Sequence, residues 1–407
     1  MPFDVAALLN QVDAVLPDVV TMRRRIHRHP ELGLELPQTQ QAVLDALADL
    51  PVSVRTGKAL TSVVADLEGG AGAGPTILLR GDMDALPMPE DTGVDFASEI
   101  DGTMHACGHD AHTAMLAGAA RVLSDRRNEF AGRVRFMFQP GEEGFHGAKF
   151  MIDEGVLDDP RVDAVFGLHV TPNAPAGVVS SRGGAIMAAP DVLGIRVRGK
   201  GGHASSPYLA NDPMPVAAEI VTALQVFATR RIDTFDPVVI TITKIRAGTT
   251  NNVIPEEVLM EGTLRSVSER SRKIALEGIA RIVHGIAGAH EMDASFENVE
   301  GYPVTINDPD FVRFTESVAK RLLGEQAYLE MPAPVMGAED FSYLLQRRPG
   351  AFAFLGVCPP DHKPTDAHAC HSNRMTIDES ALRSGVGMYC ATALSFLAGD
   401  AAMLSNA

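Results

Sequence analysis

Cysteine is scarce in this chain. Four in 407 residues are too few for a disulfide scaffold at this length. No two of them form a C-x-x-C pair, so a reducing compartment, and hence a cytoplasmic protein, is the expectation. Positive charge is also in short supply. Lys plus Arg number 35 against 52 Asp plus Glu, a formal charge of -17. An acidic field of that size repels nucleic acid and anionic membrane, and neither is expected as a partner. The first twenty residues, MPFDVAALLNQVDAVLPDVV, lack a basic leading segment and carry Asp4, Asp13 and Asp18, which is not the pattern of a secretory signal. The uncharged stretch Ser384 to Gly399 falls short of the ~20 residues of a spanning helix, and its Gly, Ser and Thr suit a buried terminal helix.

Internal repeats and low-complexity tracts are missing too. The Gly-rich stretch Glu68 to Pro75 lacks the Gly-Lys-Ser/Thr that a phosphate loop needs, and it reads as a connecting loop. No G-x-S-x-G occurs, and neither H-E-x-x-H nor H-x-x-E-H is present. These absences argue against a serine hydrolase and a helix-borne mononuclear zinc protease. What remains, 45% apolar and 21% charged residues, is the composition of a folded chain of two or three domains.

Short apolar runs ending in polar or Gly residues recur: TILLRGDMD, RVRFMFQPGEEG, AVFGLHV and, much later, AFAFLGV. Each reads as a buried strand. Helical patterns lie between several of them, including Ala111 to Ser124 and Asp310 to Leu323, the latter stopped by Gly324. Strands alternating with helices predict an open α/β sheet, with the site beyond the carboxyl ends of the strands. The middle of the chain differs. Gly194 to Gly199 and Val239 to Lys244 alternate apolar with polar residues, as strands with one wet face do. Helices around Pro215 to Arg230 and Ser268 to His290 accompany them. Residues 186–296 therefore read as an inserted α+β domain within a discontinuous larger one, residues 1–185 and 297–407.

The polar residues at the strand ends carry the chemistry. Met104 to His112 packs three His and one Cys into nine residues. A Cys thiolate and a neutral imidazole two residues apart suit Zn²⁺ or a similar ion. A helix-capping His beside a merely buried Cys explains the same run equally well. Gln139 to Gly144 sets Glu142 and Glu143 side by side on a turn, where one can ligate a metal while the other faces a water. An acidic surface turn is the plainer alternative. His169 ends another apolar strand, and Cys370-His371-Ser372 lies in a late polar loop. Four strand-end clusters with metal-competent groups favour the metal reading over four coincidences.

These clusters also occur in a recognisable order. GDMDALPM (81–88), MHACGHDAH (104–112), QPGEEG (139–144), LHV (168–170), GKGGHASSP (199–207), NNVIPEE (251–257), GAEDF (337–341) and CHS (370–372) together resemble the zinc metallopeptidase superfamily of aminoacylase and carboxypeptidase G. The resemblance is strongest to the branch of hippurate hydrolase, N-acyl-amino-acid amidohydrolases and plant auxin-conjugate hydrolases, and spans residues ~20–390.

The resemblance implies an open mixed sheet with flanking helices, an inserted lid and dimerisation domain, and two divalent metal ions per subunit (Zn, Mn, Co or Ni). It implies Cys107, His109, Glu143, His169 and His371 as metal ligands and Glu142 as general base. Two departures from the wider superfamily stand out: Asp82-Met83-Asp84 replaces His-x-Asp, and Cys107 takes the place of a bridging Asp. Both match the hippurate hydrolase branch. Asp84 is then a candidate for orienting a ligand His. His203, in a Gly-Gly-His turn of the insert, is a candidate donor to the oxyanion, supplied by the partner subunit of a homodimer or dimer-based oligomer. Asn252 and Arg265 are candidates for gripping a substrate carboxylate. The expected substrate is an N-acyl amino acid. A dipeptidase or carboxypeptidase on the same site is the nearest rival, and a binding protein with a structural metal is a third reading. The basic run Arg23 to Arg25 with His27, Arg28 and His29 is expected to be a solvated helix end, and Cys358 and Cys390 are expected to be buried thiols.

Overall fold

The apolar runs become the strands of an eight-stranded mixed sheet. A computed structural model describes residues 3–399, and the chain divides into two units. The first comprises Met1–Gly184, Ile306–Ala333 and Asp340–Ala407, and the second Ala185–Thr305 with Pro334–Glu339. The sequence-based boundaries at 185/186 and 296/297 differ from this division at the later edge. Residue 296 falls inside the strand Asp293–Glu300, which pairs along its length with Ala189–Arg198 and so belongs to the second unit.

In the first unit the strand order is Ser53–Thr56, Val63–Glu68, Arg133–Gln139, Thr76–Asp82, Ala164–Thr171, Gly350–Gly356, Val179–Ser181 and Tyr328–Glu330. The four central strands, Arg133–Gln139 to Gly350–Gly356, run parallel. Thr76–Asp82 is buried at every residue, as expected for a parallel strand covered on both faces. From it the chain passes through the helix His109–Asp125 to Arg133–Gln139 on one side. It then crosses to Ala164–Thr171 on the other. The carboxyl ends of Thr76–Asp82 and Ala164–Thr171 therefore face a crevice where successive connections diverge, the position at which open α/β sheets place their ligands.

The helices follow their local signals. Asp308 accepts from the N–H groups of Asp310 and Phe311 at 2.9 and 2.8 Å, and Pro309 opens the helix that Gly324 ends. The terminal helix Leu382–Leu397 is buried along its length, in agreement with its uncharged composition. The N-terminal helix Val5–Arg28 has the length and hydropathy to cross a membrane, yet Leu8, Val12, Val19 and Ile26 lie in the core of the first unit. Its basic end corrects the expectation of a solvated run. Arg23 and His27 are 4% and 2% exposed. Arg23 Nε and His27 Nδ1 lie 2.9 and 2.8 Å from Asp110 Oδ2, and Glu379 takes Arg23 and Arg24 at 2.8 and 2.6 Å. A guanidinium so deeply placed is tolerated because it is paired.

The second unit is an antiparallel sheet in the order Val238–Arg246, Glu257–Ser266, Ala189–Arg198 and Asp293–Glu300. Leu193, Ile195, Val197, Val258, Met260 and Leu264 pack with the helices Pro213–Arg230 and Glu269–Ala289. The alternating burial along Ala189–Arg198 leaves the other face wet.

Candidate metal centre

Asp82 and Asp84 extend from the carboxyl end of Thr76–Asp82, and each oxygen of each carboxylate has a defined task. Asp82 accepts from Arg80 Nη1 at 2.7 Å and from His112 Nδ1 at 2.5 Å. The other nitrogen of His112 accepts from the Val170 N–H at 2.8 Å. His112 thus fastens two neighbouring strand ends together and has no lone pair left for an ion. Asp84 accepts from the backbone N–H groups of Glu142 and Glu143 at 3.0 and 2.9 Å. One carboxylate so pins both peptide units of the acidic turn and fixes the directions in which the two Glu side chains leave it.

Gly108 separates Cys107 from the helix that begins at His109. It adopts φ +86°, and a Cβ there would stand 2.3 Å from Val170 Cγ2, so only glycine lets this turn lie against the neighbouring strand end. Cys107 and His109 therefore project from a fixed, closely packed corner. Cys107 Sγ lies 3.3 Å from His169 Nε2, whose other nitrogen donates to the Val170 carbonyl at 2.7 Å. That bond leaves the Nε2 lone pair directed at the thiol side. His371, at φ +67°, is tied by its N–H to the Ala106 carbonyl at 2.7 Å and brings Nε2 to 3.2 Å from Glu143 Oε1.

The residues singled out in the first unit come together as two triads that share Cys107. They are Cys107, His109 and His169, and Cys107, Glu143 and His371, with the donor atoms of each within 4.8 Å of one another. Thiolate, imidazole and carboxylate at that spacing suit borderline divalent ions. His109 supplies the test of fit. It is wholly buried, and neither ring nitrogen makes a well-formed hydrogen bond, the nearest carboxylate oxygens being Asp82 and Asp84 at 3.4 and 3.5 Å. Burial acts to strip charge from this imidazole, but Asp82, Asp84 and Glu143 override it and push His109 up to about 10. A pocket that draws positive charge so strongly onto a buried ring is also one that attracts a cation. Glu142, 6% exposed, stands in a further group with His109 and Glu143. The residues fit two divalent ions.

Four supporting residues lie in stretches the sequence singled out but received no individual role there: Arg80, His112, Gln139 and Asp340. Asp340 accepts from Arg80 Nη2 at 3.0 Å, Gln139 Nε2 at 2.7 Å and the Ala148 N–H at 2.8 Å. Burial, opposed by Arg80, pushes its carboxyl up to about 6. An arginine inside the apolar run TILLRGDMD was the available signal, since a charge there needs a buried partner. Of the Met104–His112 run, His105 is not drawn to the cluster. It packs beside His27, ring centroids 6.2 Å apart, and burial pushes it down to about 3.

The remaining candidates lie in the second unit. His203 pairs with Val253 in a two-stranded ladder, the Ala204 N–H donates to the Asn252 carbonyl at 3.0 Å, and the Ser205 N–H donates to His203 Nδ1 at 3.1 Å. His203 and Asn252 are thus neighbours. Arg265 is not drawn to them. It sits toward the far end of Glu257–Ser266, across from Val239 and Pro190.

The model of peptidase family M20/M25/M40 matches residues 78–395. Thermostable carboxypeptidase 1 of Saccharolobus solfataricus is 39% identical over 96% of this chain and 98% of its own length. N-acetylcysteine deacetylase of Bacillus subtilis is 38% identical over 89% of this chain and 93% of its own. Among solved structures, the Bacillus subtilis YxeP protein, a dinuclear metal-binding peptidase of the M20 family, superposes with a TM-score of 0.82 at 33% identity, covering 95% of this chain and 99% of that one.

Proposed function

Because this chain belongs to peptidase family M20/M25/M40, a family of amide-bond hydrolases, we propose that it cleaves N-acyl amino acids to a carboxylic acid and a free amino acid. The observation that carries this reading is the sharing of Cys107 by two ligand triads with Glu142 beside them. The proposed ligands are Cys107, His109, Glu143, His169 and His371. Divalent ions held there act as Lewis acids that polarise the scissile carbonyl and acidify water.

The chain's own residues supply the rest. Glu142, held by Asp84 through its backbone N–H, accepts a proton from the attacking water as the C–O bond forms, and hands it to the amine nitrogen as the C–N bond breaks. Asp84, 3.5 Å from His109 Nδ1, orients that ring. His203 is the proposed donor to the oxyanion, contributed across a homodimer. Asn252 and Arg265 are the proposed grip on the substrate carboxylate.

A peptide substrate is the second reading, favoured by the 39% identity to a thermostable carboxypeptidase. A panel of N-acetyl, N-benzoyl and indoleacetyl amino acids, set against dipeptides and longer peptides, separates the two. The panel is run after chelation and after return of Mn²⁺, Co²⁺, Ni²⁺ or Zn²⁺. The expected result is hydrolysis of acylated amino acids that chelation abolishes and added ion restores. Cleavage of peptides alone would replace this reading with the second. Full activity in protein shown to be metal-free by elemental analysis would overturn both.

A further inference from the structure

Cys107 is not the only thiol at this corner. The His371 N–H to Ala106 carbonyl bond, 2.7 Å, joins the peptide unit following Cys370 to the one preceding Cys107. The two cysteines are attached to the two bonded peptide units, so segments far apart in the chain hold them as spatial neighbours. Cys370 Sγ lies 3.7 Å from the Val170 carbonyl, and Cys107 Sγ 3.3 Å from His169 Nε2. Both side chains are thus confined on the same strand end. Their exposure differs: Cys107 is buried and Cys370 is partly open to solvent. The proposed hydrolysis uses Cys107 and leaves Cys370 without a task.

We propose that Cys107 and Cys370 form a reversible disulfide site that takes hydrogen peroxide as its oxidant and disables the metal centre when oxidised. Peroxide reaches the more accessible Cys370 first. Its sulfur takes one oxygen and becomes a sulfenic acid, and the first water leaves. The Cys107 sulfur then attacks Cys370, the S–O bond breaks, and the hydroxyl leaves with a proton as the second water. Two thiols and one peroxide give one disulfide and two waters, and a dithiol reverses the change by exchange. A sulfur committed to a disulfide no longer carries the thiolate charge that both triads share, and an ion held through it is released. The loss of the ion rests on the ligand role proposed for Cys107. The cross-link itself does not.

The test uses the metal-loaded full chain and limiting hydrogen peroxide, read by peptide mapping, by a chromogenic metal chelator and by hydrolysis. The expected result is a Cys107–Cys370 cross-linked peptide and release of metal in step with it, both reversed by dithiothreitol. Cys358 and Cys390, which lie buried elsewhere, should stay reduced. Cys370→Ala should keep its metal in the absence of peroxide and release it at least ~10-fold more slowly in its presence. A map without the cross-link overturns the disulfide, and it needs no variant to fold. A cross-link that forms while the metal stays bound overturns instead the ligand role of Cys107. Equal rates of release from Cys370→Ala and the unaltered chain overturn the part given to Cys370.

Discussion

Glu142 and Glu143 are neighbours in sequence with the same side chain, and only their surroundings divide the work between them. Asp84 takes both of their N–H groups, at 3.0 and 2.9 Å, so the two carboxylates depart from a turn that cannot swivel. Glu143 reaches His371, while Glu142 is the carboxylate proposed to act on protons. Glu142→Gln should lower kcat by ~10²-fold or more with metal content unchanged, because a general base is used in the transition state more than in binding. Glu143→Gln should instead lower metal content. Elemental analysis alongside kinetics separates the two, and a Glu142→Gln enzyme with normal kcat would reverse the assignment. Asp84→Ala should lower both readouts, since it frees the turn and His109 together.

At the scale of elements, the sequence was legible wherever a pattern was local. The apolar runs, the helix stopped by Gly324 and the buried terminal helix could all be read from periodicity and punctuation. What escaped was pairing across the chain. Arg23, Arg24 and His27 look like a wet helix end because their partners, Asp110 and Glu379, stand 87 and 356 positions away from Arg23. The same distance hid Asp340, whose partner Arg80 lies 260 positions away.

That buried pairing has a pH signature. Burial acts to raise the Glu379 carboxyl, but Arg24 and Arg23 hold it below its ordinary value. Asp110 is likewise held well down, against its burial, by Arg23 and His27. A depressed carboxylate contributes stability that is fully present above its unfolded value, roughly 4, and is lost as pH falls toward the folded one. His27 has the opposite sign. Asp110 and Glu90 raise it against burial, so its contribution is complete below about 6.5 and fades at higher pH. Glu379→Gln should cost about 2 kcal/mol near pH 7. The difference from the unaltered chain should begin to narrow as pH falls below roughly 4 and close only once pH passes the lower folded value, where the glutamate is protonated in both states. Thermal unfolding of the two proteins across pH 3–8 checks this, and a gap that stays constant with pH would show that shape rather than charge was lost.

At the scale of the whole molecule, the two units divide the candidates. The ligand triads and Glu142 belong to the first, and His203 and Asn252 to the second. If His203 acts across a dimer, His203→Ala should lose kcat with its metals intact. Mixing it with Glu142→Gln protein should then restore activity, because one site of the mixed dimer pairs an intact base with an intact donor. Sedimentation and subunit-exchange controls set the terms of the experiment. A monomer at working concentration, or exchanged mixtures that stay inactive, would remove the trans arrangement.

The chain order of the central sheet bears on how the protein is made. Gly350–Gly356 lies inside the parallel block, paired with Ala164–Thr171, and the whole second unit is synthesised between those two strands. The second unit closes its own antiparallel sheet from nearer segments. On a ribosome it can fold while the first unit still waits for a strand near its centre, because long-range parallel pairing is slow and cannot begin before both strands exist. His371 comes later still, so the triad Cys107, Glu143 and His371 is not complete until the chain is nearly finished. Pulse-labelled hydrogen exchange during refolding should show amides of Ala189–Arg198 and Glu257–Ser266 protected before those of Ala164–Thr171. Protection appearing in all three at once would mean that the two units fold as one. Completion of the second triad is then the last event in the making of this protein, and a chain that stops short of His371 is born with only the Cys107, His109 and His169 half of its site.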